Sequence, residues 1–481
     1  MPISKLRTAL LTCLLLALGA TSAQAYAPFQ MGLHDPVADN GDAARFDLAR
    51  DAHARIARIT VYWADHVPAG SDPPAGFDAR NPADPGYNWT AIDAFVRAAG
   101  ERGIDPLITT LKAPTWAEGD DAADRGQRTG DPGTYHPNAK AYGDFMHALA
   151  TRYSGKFPDP ANPGRNLPRV SYFQIWNEPN FGQYLFDRQK AKIPIYYVRL
   201  LNAGYDAVKA VSKTNLVLTA GLGPYGNNGH ATDVDPQFFM REVLCLTGRG
   251  GSNLGTVRGC HVPKPKFDVW AQHPYTLAGT PRSSGQSPDA AALGNMPAVK
   301  RTLDYASRVG HVLPRGHKKL WASEFGWFSN PPGITSGGTQ LGKPPAVQAA
   351  YLSESAYRLW KTGFSAFVWY GLDDQEGFPT GLYLGHLPDA GAKPALDAFR
   401  FPFYAERRGS RVLVWGLASG SHTSRVQIEK KSGSTWKKVT SFRTDGQGML
   451  YRAVKGGRGT YRAEMLSGTR KGLASLGYAA R

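Results

Sequence analysis

Short apolar runs with the character of buried β-strands alternate with helix-like segments along most of this chain. The runs number about eight and lie at residues 29–33, 59–63, 107–111, 172–176, 216–220, 267–270, 320–322 and 366–370. Between them apolar residues recur at helical spacing, as in Ile92, Phe95, Val96 and Ala99. Because parallel strands need crossover connections, this alternation predicts an α/β fold with a parallel sheet. About eight units suit a closed (β/α)8 TIM barrel. The competing open, doubly wound sheet is weakened because no glycine-rich nucleotide fingerprint follows the first run.

The two ends of the chain differ from this pattern. Lys5 and Arg7 precede an apolar stretch that ends in small residues, which is typical of a cleaved secretory signal peptide. No later stretch is long and apolar enough for a membrane span. From Gly409 onward apolar and polar residues alternate between glycine-containing turns, which predicts a small antiparallel β-sandwich. The predicted segments are a signal peptide at 1–25, a barrel at 26–408, a β-module at 409–470 and a tail at 471–481.

Two cysteines remain after removal of the signal peptide, Cys245 and Cys260, and the segment between them is rich in glycine. In an exported protein a disulfide would tie this loop, so we predict a Cys245–Cys260 bridge rather than two free thiols. No cluster of residues has clear metal-ligand spacing, and we expect no metal and no cofactor. Asp373 and Asp374, after the last run, are candidates for calcium, although acids in exposed loops are more often solvated.

Two glutamates stand at the ends of predicted strands, each among tryptophans. Glu178 follows the run at 172–176, and Glu324 follows the run at 320–322. A single acid in such a place is usually solvated or caps a helix. A pair at the carboxyl ends of barrel strands, where barrel chemistry takes place, predicts cleavage of a glycosidic bond. In that reaction one carboxyl group protonates the leaving oxygen, and the other attacks or stabilises the sugar cation.

These motifs resemble the clan A glycoside hydrolases, which are retaining enzymes on a (β/α) barrel, over roughly residues 26–405. Asn177-Glu178-Pro179 is similar to the clan's motif at the end of strand four, and this implies that Glu178 is the acid/base. Glu324 is similar to the nucleophile at the end of strand seven. Glu178 would need a raised pKa and Glu324 would need to stay ionised. The resemblance implies a carboxyl separation of roughly 5–5.5 Å.

The resemblance extends to the residues that would support these two acids. His273-Pro274-Tyr275 is similar to the histidine-x-tyrosine at the end of strand six, and Arg58 to the strand-two arginine that supports the nucleophile. Arg58 and the Tyr275 hydroxyl would keep the nucleophile ionised. His273 is equally compatible with a sugar contact, with orientation of a carboxylate and with a structural role. Arg58 also fits a plain ion pair in the barrel core.

Three further residues are candidates for contact with the sugar. Asn177 would donate its amide to the 2-hydroxyl group. Trp369 resembles the strand-eight tryptophan that floors the sugar site, with packing as the alternative. Trp116 fits either a platform or a lid.

The excess positive charge is concentrated in the C-terminal module. From Gly409 onward the chain has 14 Lys and Arg against three acidic residues, a net charge of +11, whereas the whole chain carries +17. An acidic cell-wall or extracellular polymer is one partner that this charge favours, and a solvated basic face is the alternative. No nucleic-acid motif accompanies the charge, so no nucleic-acid partner is expected.

Three classes of function remain open on the sequence. The first is a secreted retaining glycosidase that acts on a poly- or oligosaccharide, expected as a monomer. The second is a barrel that binds sugar without cleaving it, although such proteins usually lose a catalytic carboxylate. The third is an envelope or adhesion protein in which the barrel is only a scaffold. We expect the β-module to be separable from catalysis unless an apolar seam around Phe401, Phe403 and Tyr404 joins it to the barrel.

Overall fold

The structure is a computed structural model that describes residues 28–72, 74–226, 232–336, 339–389 and 391–481. The predicted signal peptide lies outside the described residues. Within them, no helix combines the length and the apolar character needed to cross a bilayer.

Eight parallel strands close into a barrel, which confirms the predicted fold class. Each strand pairs with its sequence neighbours, and the last strand pairs with the first to complete the ring. The strands are β1 (Gln30–His34), β2 (Ile56–Tyr62), β3 (Asp105–Leu111), β4 (Tyr172–Ile175), β5 (Leu216–Leu218), β6 (Val269–Gln272), β7 (Lys319–Phe325) and β8 (Phe364–Tyr370).

A helix follows each strand and covers the outside of the barrel. The helices are α1 (Ala43–Asp51), α2 (Thr90–Glu101), α3 (Ala139–Arg152), α4 (Ile193–Val211), α5 (Pro236–Leu244), α6 (Met296–Arg308), α7 (Pro345–Thr362) and α8 (Pro394–Arg400). In α2 the residues that share the predicted apolar face, Ile92, Phe95, Val96 and Ala99, are all buried, because that face packs on the barrel. The loops contain a short helix at Ala122–Arg125 and three two-stranded hairpins. The hairpins pair Leu246–Arg249 with Ser252–Thr256, Thr335–Ser336 with Thr339–Gln340, and Tyr383–Leu384 with Gly391–Ala392.

The two faces of the barrel strands carry different parts of the core. One small apolar cluster fills the inside of the barrel and includes Ile56, Leu107, Trp321 and Val368. A far larger cluster lies between the strands and the helix layer. Since side chains alternate between the two faces, the position of a residue along its strand decides whether it points into the barrel or toward the helices.

A two-layer β-sandwich follows the barrel. One sheet contains β9 (Phe403–Arg408), β10 (Arg411–Leu417) and β13 (Met449–Lys455). The other contains β11 (Arg425–Ser432), β12 (Thr435–Arg443), β14 (Gly459–Met465) and β15 (Tyr478–Ala480). Apolar side chains from both sheets form one separate core, as expected for a sandwich.

The boundaries of the sandwich differ from those in the sequence analysis. The β9 strand precedes Gly409 and pairs along its whole length with β10, so the first hairpin of the module spans the predicted boundary. The predicted tail also contributes a strand, because β15 pairs with β14. An aromatic seam joins the module to α7: Tyr404 stacks on Tyr357 at 4.3 Å between ring centroids, and Trp415 lies 5.9 Å from Trp360.

The predicted disulfide is present. Cys245 and Cys260 are bonded and close a loop with a sequence separation of 15 residues between β5 and β6. The loop contains the hairpin of Leu246–Arg249 with Ser252–Thr256, so the glycine-rich segment is both hydrogen-bonded and cross-linked.

Candidate active site

A cavity of about 750 Å³ opens at the carboxyl ends of the barrel strands, and both predicted catalytic glutamates line it. This is the end of the barrel at which the βα loops supply chemistry. Of the predicted site residues, the same cavity contains Arg58, Asn177 and Tyr275. The structure therefore brings these groups together from strands β2, β4, β6 and β7.

Glu178 is placed by a tight turn that follows β4. Trp176 has φ 70° and Glu178 has φ 40°, both in the left-handed region that residues with a side chain rarely adopt. Such conformations cost about 1–3 kcal/mol each and persist only where the surroundings impose them. The Trp176 indole is fully buried and donates to the Tyr184 carbonyl at 2.8 Å, while the Glu178 amide donates to the Gly221 carbonyl at 3.1 Å. These contacts hold the turn and direct the carboxyl group into the cavity.

Glu324 is placed by a bulge in β7. Ala322 pairs with Phe367 on β8, but the next pair joins Phe325 to Trp369, so β7 has two residues opposite one. Trp321 lies inside the barrel, whereas Phe325 belongs to the outer core, the cluster between the strands and the helices. On a regular strand two residues four positions apart would lie on the same face. The extra residue lets Glu324 reach the cavity, and bulges commonly redirect side chains in this way beside active sites.

Arg58 connects the two halves of the site. Its buried guanidinium donates to Glu324 through Nη1 and to Asn177 Oδ1 at 2.7 Å through Nη2, while Nε donates to Thr109 Oγ1 at 2.9 Å. Tyr275 donates its hydroxyl to the other oxygen of Glu324 at 3.0 Å. Since the Asn177 oxygen accepts from Arg58, its NH₂ group remains as the donor available to the cavity.

The environment of Glu324 favours its ionised form. Burial, the largest single influence, would by itself raise the pKa, but the positive charge of Arg58 together with other neighbouring groups outweighs it, and the net result is a pKa well below the usual range. The neighbouring imidazole of His273 acts in the same direction as Arg58. Glu324 is thus an anion at any pH near neutrality.

The environment of Glu178 has the opposite effect. Burial raises the pKa of this carboxyl above its ordinary value, although the hydrogen bond with His273 opposes the rise, and the negative charge of Glu324 adds to it. Two carboxyl groups that face one cavity therefore have pKa values displaced in opposite directions. Such a divergence is how one site keeps an acid and a base at the same pH.

His273 contacts Glu178 and has no exposed surface. Its Nδ1 lies 2.8 Å from Glu178 Oε1, and its Nε2 lies 3.1 Å from Ser323 Oγ. Of the roles open on the sequence, the geometry matches orientation of a carboxylate. Gly221 makes room for the ring, because a Cβ atom at that position would lie 2.0 Å from His273 Nε2.

Two predicted sugar contacts lie elsewhere. Trp369 is fully buried, belongs to the outer core and donates Nε1 to the Thr380 carbonyl at 2.9 Å. Its neighbour Tyr370 lines the cavity instead. Trp116 is buried against Trp63, donates to the Pro68 carbonyl at 2.9 Å and lines a separate cavity of about 250 Å³.

Several cavity residues were not among the sequence candidates. His34 accepts from Arg58 at 2.9 Å, and burial, followed by the Arg58 charge, lowers its pKa to about 4, so its imidazole is neutral. Asp39 lines the same side, and its Oδ1 has no hydrogen-bond partner within the described chain. Tyr62 and Phe378 expose aromatic faces to the cavity. Alternation along β2 points Tyr62 inward, whereas Asp39 and Phe378 lie on loops and carry no comparable signal.

The two aspartates considered for calcium are buried in ion pairs rather than solvated. Asp373 accepts from Arg45, and Asp374 accepts from Lys393, each at 2.5 Å. A search of the described residues finds no group of three or more His, Cys, Asp or Glu side chains able to hold a metal ion.

Comparison with known proteins bears on the fold. The sequence matches no protein-family model and no curated protein at a significant level. Among solved structures, a glucosidase from Croceicoccus marinus has a TM-score of 0.50 and 13% identity, covering 90% of this chain and 94% of that chain. A monomeric β-xylosidase from Caulobacter crescentus has a TM-score of 0.49 and 14% identity, with 90% and 96% covered. The first likeness shows that the chain shares the (β/α)8 barrel fold of that glucosidase.

Proposed function

We propose that this chain is a retaining glycoside hydrolase that cleaves O-glycosidic bonds of a poly- or oligosaccharide. The observation that carries the proposal is the pair of carboxyl groups in one cavity with pKa values displaced in opposite directions. Both acids and their partners are in place, which disfavours the non-catalytic alternatives. The fold shared with a glucosidase is consistent with this chemistry but does not indicate the sugar.

In the first step Glu324 attacks the anomeric carbon while Glu178 protonates the glycosidic oxygen. The C–O bond to the leaving group breaks as the bond to Glu324 forms, and the leaving group takes the proton of Glu178. Arg58 and Tyr275 keep Glu324 ionised and fix the direction of its oxygens. The Asn177 amide donates to a hydroxyl of the bound sugar, a contact that strengthens as positive charge develops on the ring.

In the second step Glu178, now a carboxylate, removes a proton from water, and the oxygen of that water displaces Glu324 from the anomeric carbon. His273 stays bonded to Glu178 through both steps and keeps its carboxyl group in position. Two displacements at one carbon retain its configuration. Proton NMR of the first product formed from an aryl glycoside should therefore show the anomer of the substrate, and the opposite anomer would contradict the mechanism.

The roles of the two acids are separated by substitution. Glu324→Gln should abolish formation of the glycosyl-enzyme, detected by intact mass with a slow fluorinated substrate. Glu178→Ala should still react with substrates whose leaving group needs no proton. Azide should partly rescue the overall turnover of this variant by attacking the intermediate. Glu376→Gln, at an exposed loop position, is the matched control. Full activity of Glu324→Gln would disprove the assignment.

Export is a further part of the proposal. The N-terminal segment has the composition of a signal peptide, and the Cys245–Cys260 disulfide fits an oxidising compartment. Expression of the full chain with its own N-terminus, followed by N-terminal sequencing of the extracellular protein, tests this. A mature start near Tyr26 is expected, whereas retention of Met1 inside the cell would contradict export.

The basic module is proposed to hold the enzyme on an acidic polymer. In the four-stranded sheet of the module, Arg425 on β11 lies directly opposite Arg443 on β12. Like charges in such pairs are destabilising without a counter-ion. Trp436 on the same sheet stacks under Arg462, whose guanidinium carbon is 4.5 Å from the ring centroid. This face supplies charge and a flat aromatic surface for an anionic sugar chain.

Binding to polygalacturonate at two salt concentrations tests this attachment. Arg425→Glu with Arg443→Glu should weaken retention and reduce its salt dependence, since exposed charges are strongly screened. Lys156→Glu, an exposed substitution on the barrel, is the control. If the double variant binds as the unmodified chain does, the charge is only a solvated surface.

A further inference from the structure

A second cavity adjoins the catalytic one. Its volume is about 830 Å³, and it lies among the loops that follow β5, β6 and β7. Tyr225 and Leu277 line both cavities, so the two adjoin at these side chains. Pockets of roughly 300–1,000 Å³ hold ligands well beyond the size of one sugar ring. The space available to a ligand thus extends past the reaction centre in one direction.

That direction is the side of the proposed acid. Asn180, two residues after Glu178, donates its amide to the carbonyls of Tyr225 at 3.4 Å and Val234 at 3.2 Å, and accepts from the Gly223 amide at 2.9 Å. The turn that carries Glu178 and the loop that borders the second cavity are therefore one hydrogen-bonded unit. The catalytic cavity is also lined by His34 on β1, by Asp39 on the loop after β1 and by Thr60 on β2, and none of these lines the second cavity.

The acid must contact the glycosidic oxygen, so the leaving group extends from the reaction centre on the Glu178 side. The second cavity is where the continuation of that leaving group would lie. A substrate with a small leaving group would leave this space unused.

The lining of the second cavity suits an uncharged sugar chain. Ser284 and Gln286 present exposed polar groups, and Ser287 donates to Asp235 at 2.7 Å. Leu277 and Leu341 add apolar surface for the C–H faces of sugar rings. Among the described residues that line it, none is Lys, Arg or His, and the one charged residue is Asp235. A carboxylated sugar would meet the like charge of Asp235, and the described lining residues offer it no cation.

We infer that the second cavity binds the leaving-group end of a neutral oligosaccharide, so that the enzyme cleaves within sugar chains rather than removing single units from a small aglycone. This inference rests on the proposed glycosidase function and adds the length and the charge of the substrate. The anionic polymer proposed for the β-module would then anchor the enzyme, whereas the chain that is cut is uncharged.

Ser284→Trp tests the inference, because Ser284 is exposed in this cavity and an indole at that position would fill part of it. Ser434→Trp, in the exposed turn between β11 and β12, is the matched control. The substrates are panels of neutral α- and β-linked gluco-, xylo- and manno-oligosaccharides of two to six units, together with the corresponding aryl monoglycosides. Initial rates and the sizes of the released fragments are measured by chromatography.

For the unmodified enzyme, kcat/KM should rise with each sugar added on the leaving-group side, and fragments of two or more units should be released from that side. Ser284→Trp should lower kcat/KM for the longer chains about tenfold, the effect of losing one modest binding contact. Its rate on the aryl glycoside should stay within about twofold, and the control should match the unmodified enzyme on both substrates.

Two results would overturn the inference. If aryl glycosides are hydrolysed but kcat/KM does not increase with chain length, or if Ser284→Trp affects both substrate types equally, the cavity is not a leaving-group site while the glycosidase proposal stands. If no glycoside of any length is hydrolysed, the glycosidase proposal fails, and this inference fails with it.

Discussion

Neutralising the two proposed catalytic carboxyl groups, Glu324 and Glu178, one at a time should change the stability of the fold in different ways. Glu324→Gln removes the anion that faces the buried guanidinium of Arg58, which is 1% exposed. It also replaces the carboxylate oxygen that accepts from Tyr275 at 3.0 Å. Removing one partner of a buried ion pair leaves the other charge uncompensated and typically costs about 3–5 kcal/mol. We expect the free energy of unfolding at pH 7 to fall by that amount.

Glu178→Gln should cost little by comparison. Burial already disfavours the ionised form of this side chain, and glutamine preserves its shape and one partner for His273. A neutral hydrogen bond contributes about 0.5–1.5 kcal/mol, so the change should stay within about 1 kcal/mol. The substitution should become more favourable as the pH rises above the unfolded-state pKa of about 4.3, because a carboxyl whose pKa is raised on folding contributes less stability as the pH rises.

The pH dependence gives a second check on Glu324. A carboxyl whose pKa is depressed by folding stabilises the protein above the unfolded-state pKa of about 4.3, and this stabilisation is lost as the pH falls toward the folded value. The cost of Glu324→Gln should therefore be greatest near neutrality and should shrink below about pH 4.3. Urea titrations followed by tryptophan fluorescence at several pH values measure both variants, with the exposed Glu376→Gln as control. Equal losses for the two variants, or the larger loss for Glu178→Gln, would refute the electrostatic assignment.

Three further perturbations have defined outcomes. Tyr275→Phe removes a hydrogen bond to Glu324, the proposed nucleophile, so the pKa of Glu324 should rise and the acid limb of the kcat/KM profile should move to higher pH; an unmoved limb would exclude the contact. Cys245→Ser opens a loop of 15 residues, and a loss of about 3 kcal/mol of stability with unchanged hydrolysis of an aryl glycoside is expected from calorimetry and initial rates. Deletion of residues 409–481 exposes the aromatic seam at Trp360, so the truncated barrel should aggregate on gel filtration; a soluble, fully active barrel would show that the module is dispensable.

The barrel could be predicted from the sequence because its signal is repeated along the chain. Short apolar runs mark the strands and apolar residues at helical spacing mark several helices, and the repeated alternation of the two indicates a parallel, closed sheet. The ends of strands then identify candidate site residues, since the carboxyl ends meet at one face. Arg58, Asn177, Glu178, Tyr275 and Glu324 all reach the cavity for this reason.

The orientation of individual residues on the strands was harder to predict. The β8 strand is apolar on both faces because the barrel interior and the helix layer are both buried, so its pattern does not distinguish inside from outside. Trp369 resembles a strand-eight tryptophan that floors a sugar site, but its ring lies in the core between strands and helices, and Tyr370 lines the cavity instead. A local alternation rule also fails at Glu324, because nothing in the sequence marks the bulge that turns it inward.

The departures from regular geometry coincide with the groups that the proposed chemistry uses. The backbone is left-handed at Trp176 and at Glu178, the proposed acid, and a bulge carries Glu324, the proposed nucleophile. A glycine, Gly221, is required where His273 packs. Each departure costs folding free energy, which the cores around the barrel must offset. A regular β7 would avoid this cost but would direct Glu324 away from the cavity. In the proposed reaction this strain is the cost of bringing an acid and an anion to one sugar, and Arg58, which bonds to both Glu324 and Asn177, links the two sides of the site.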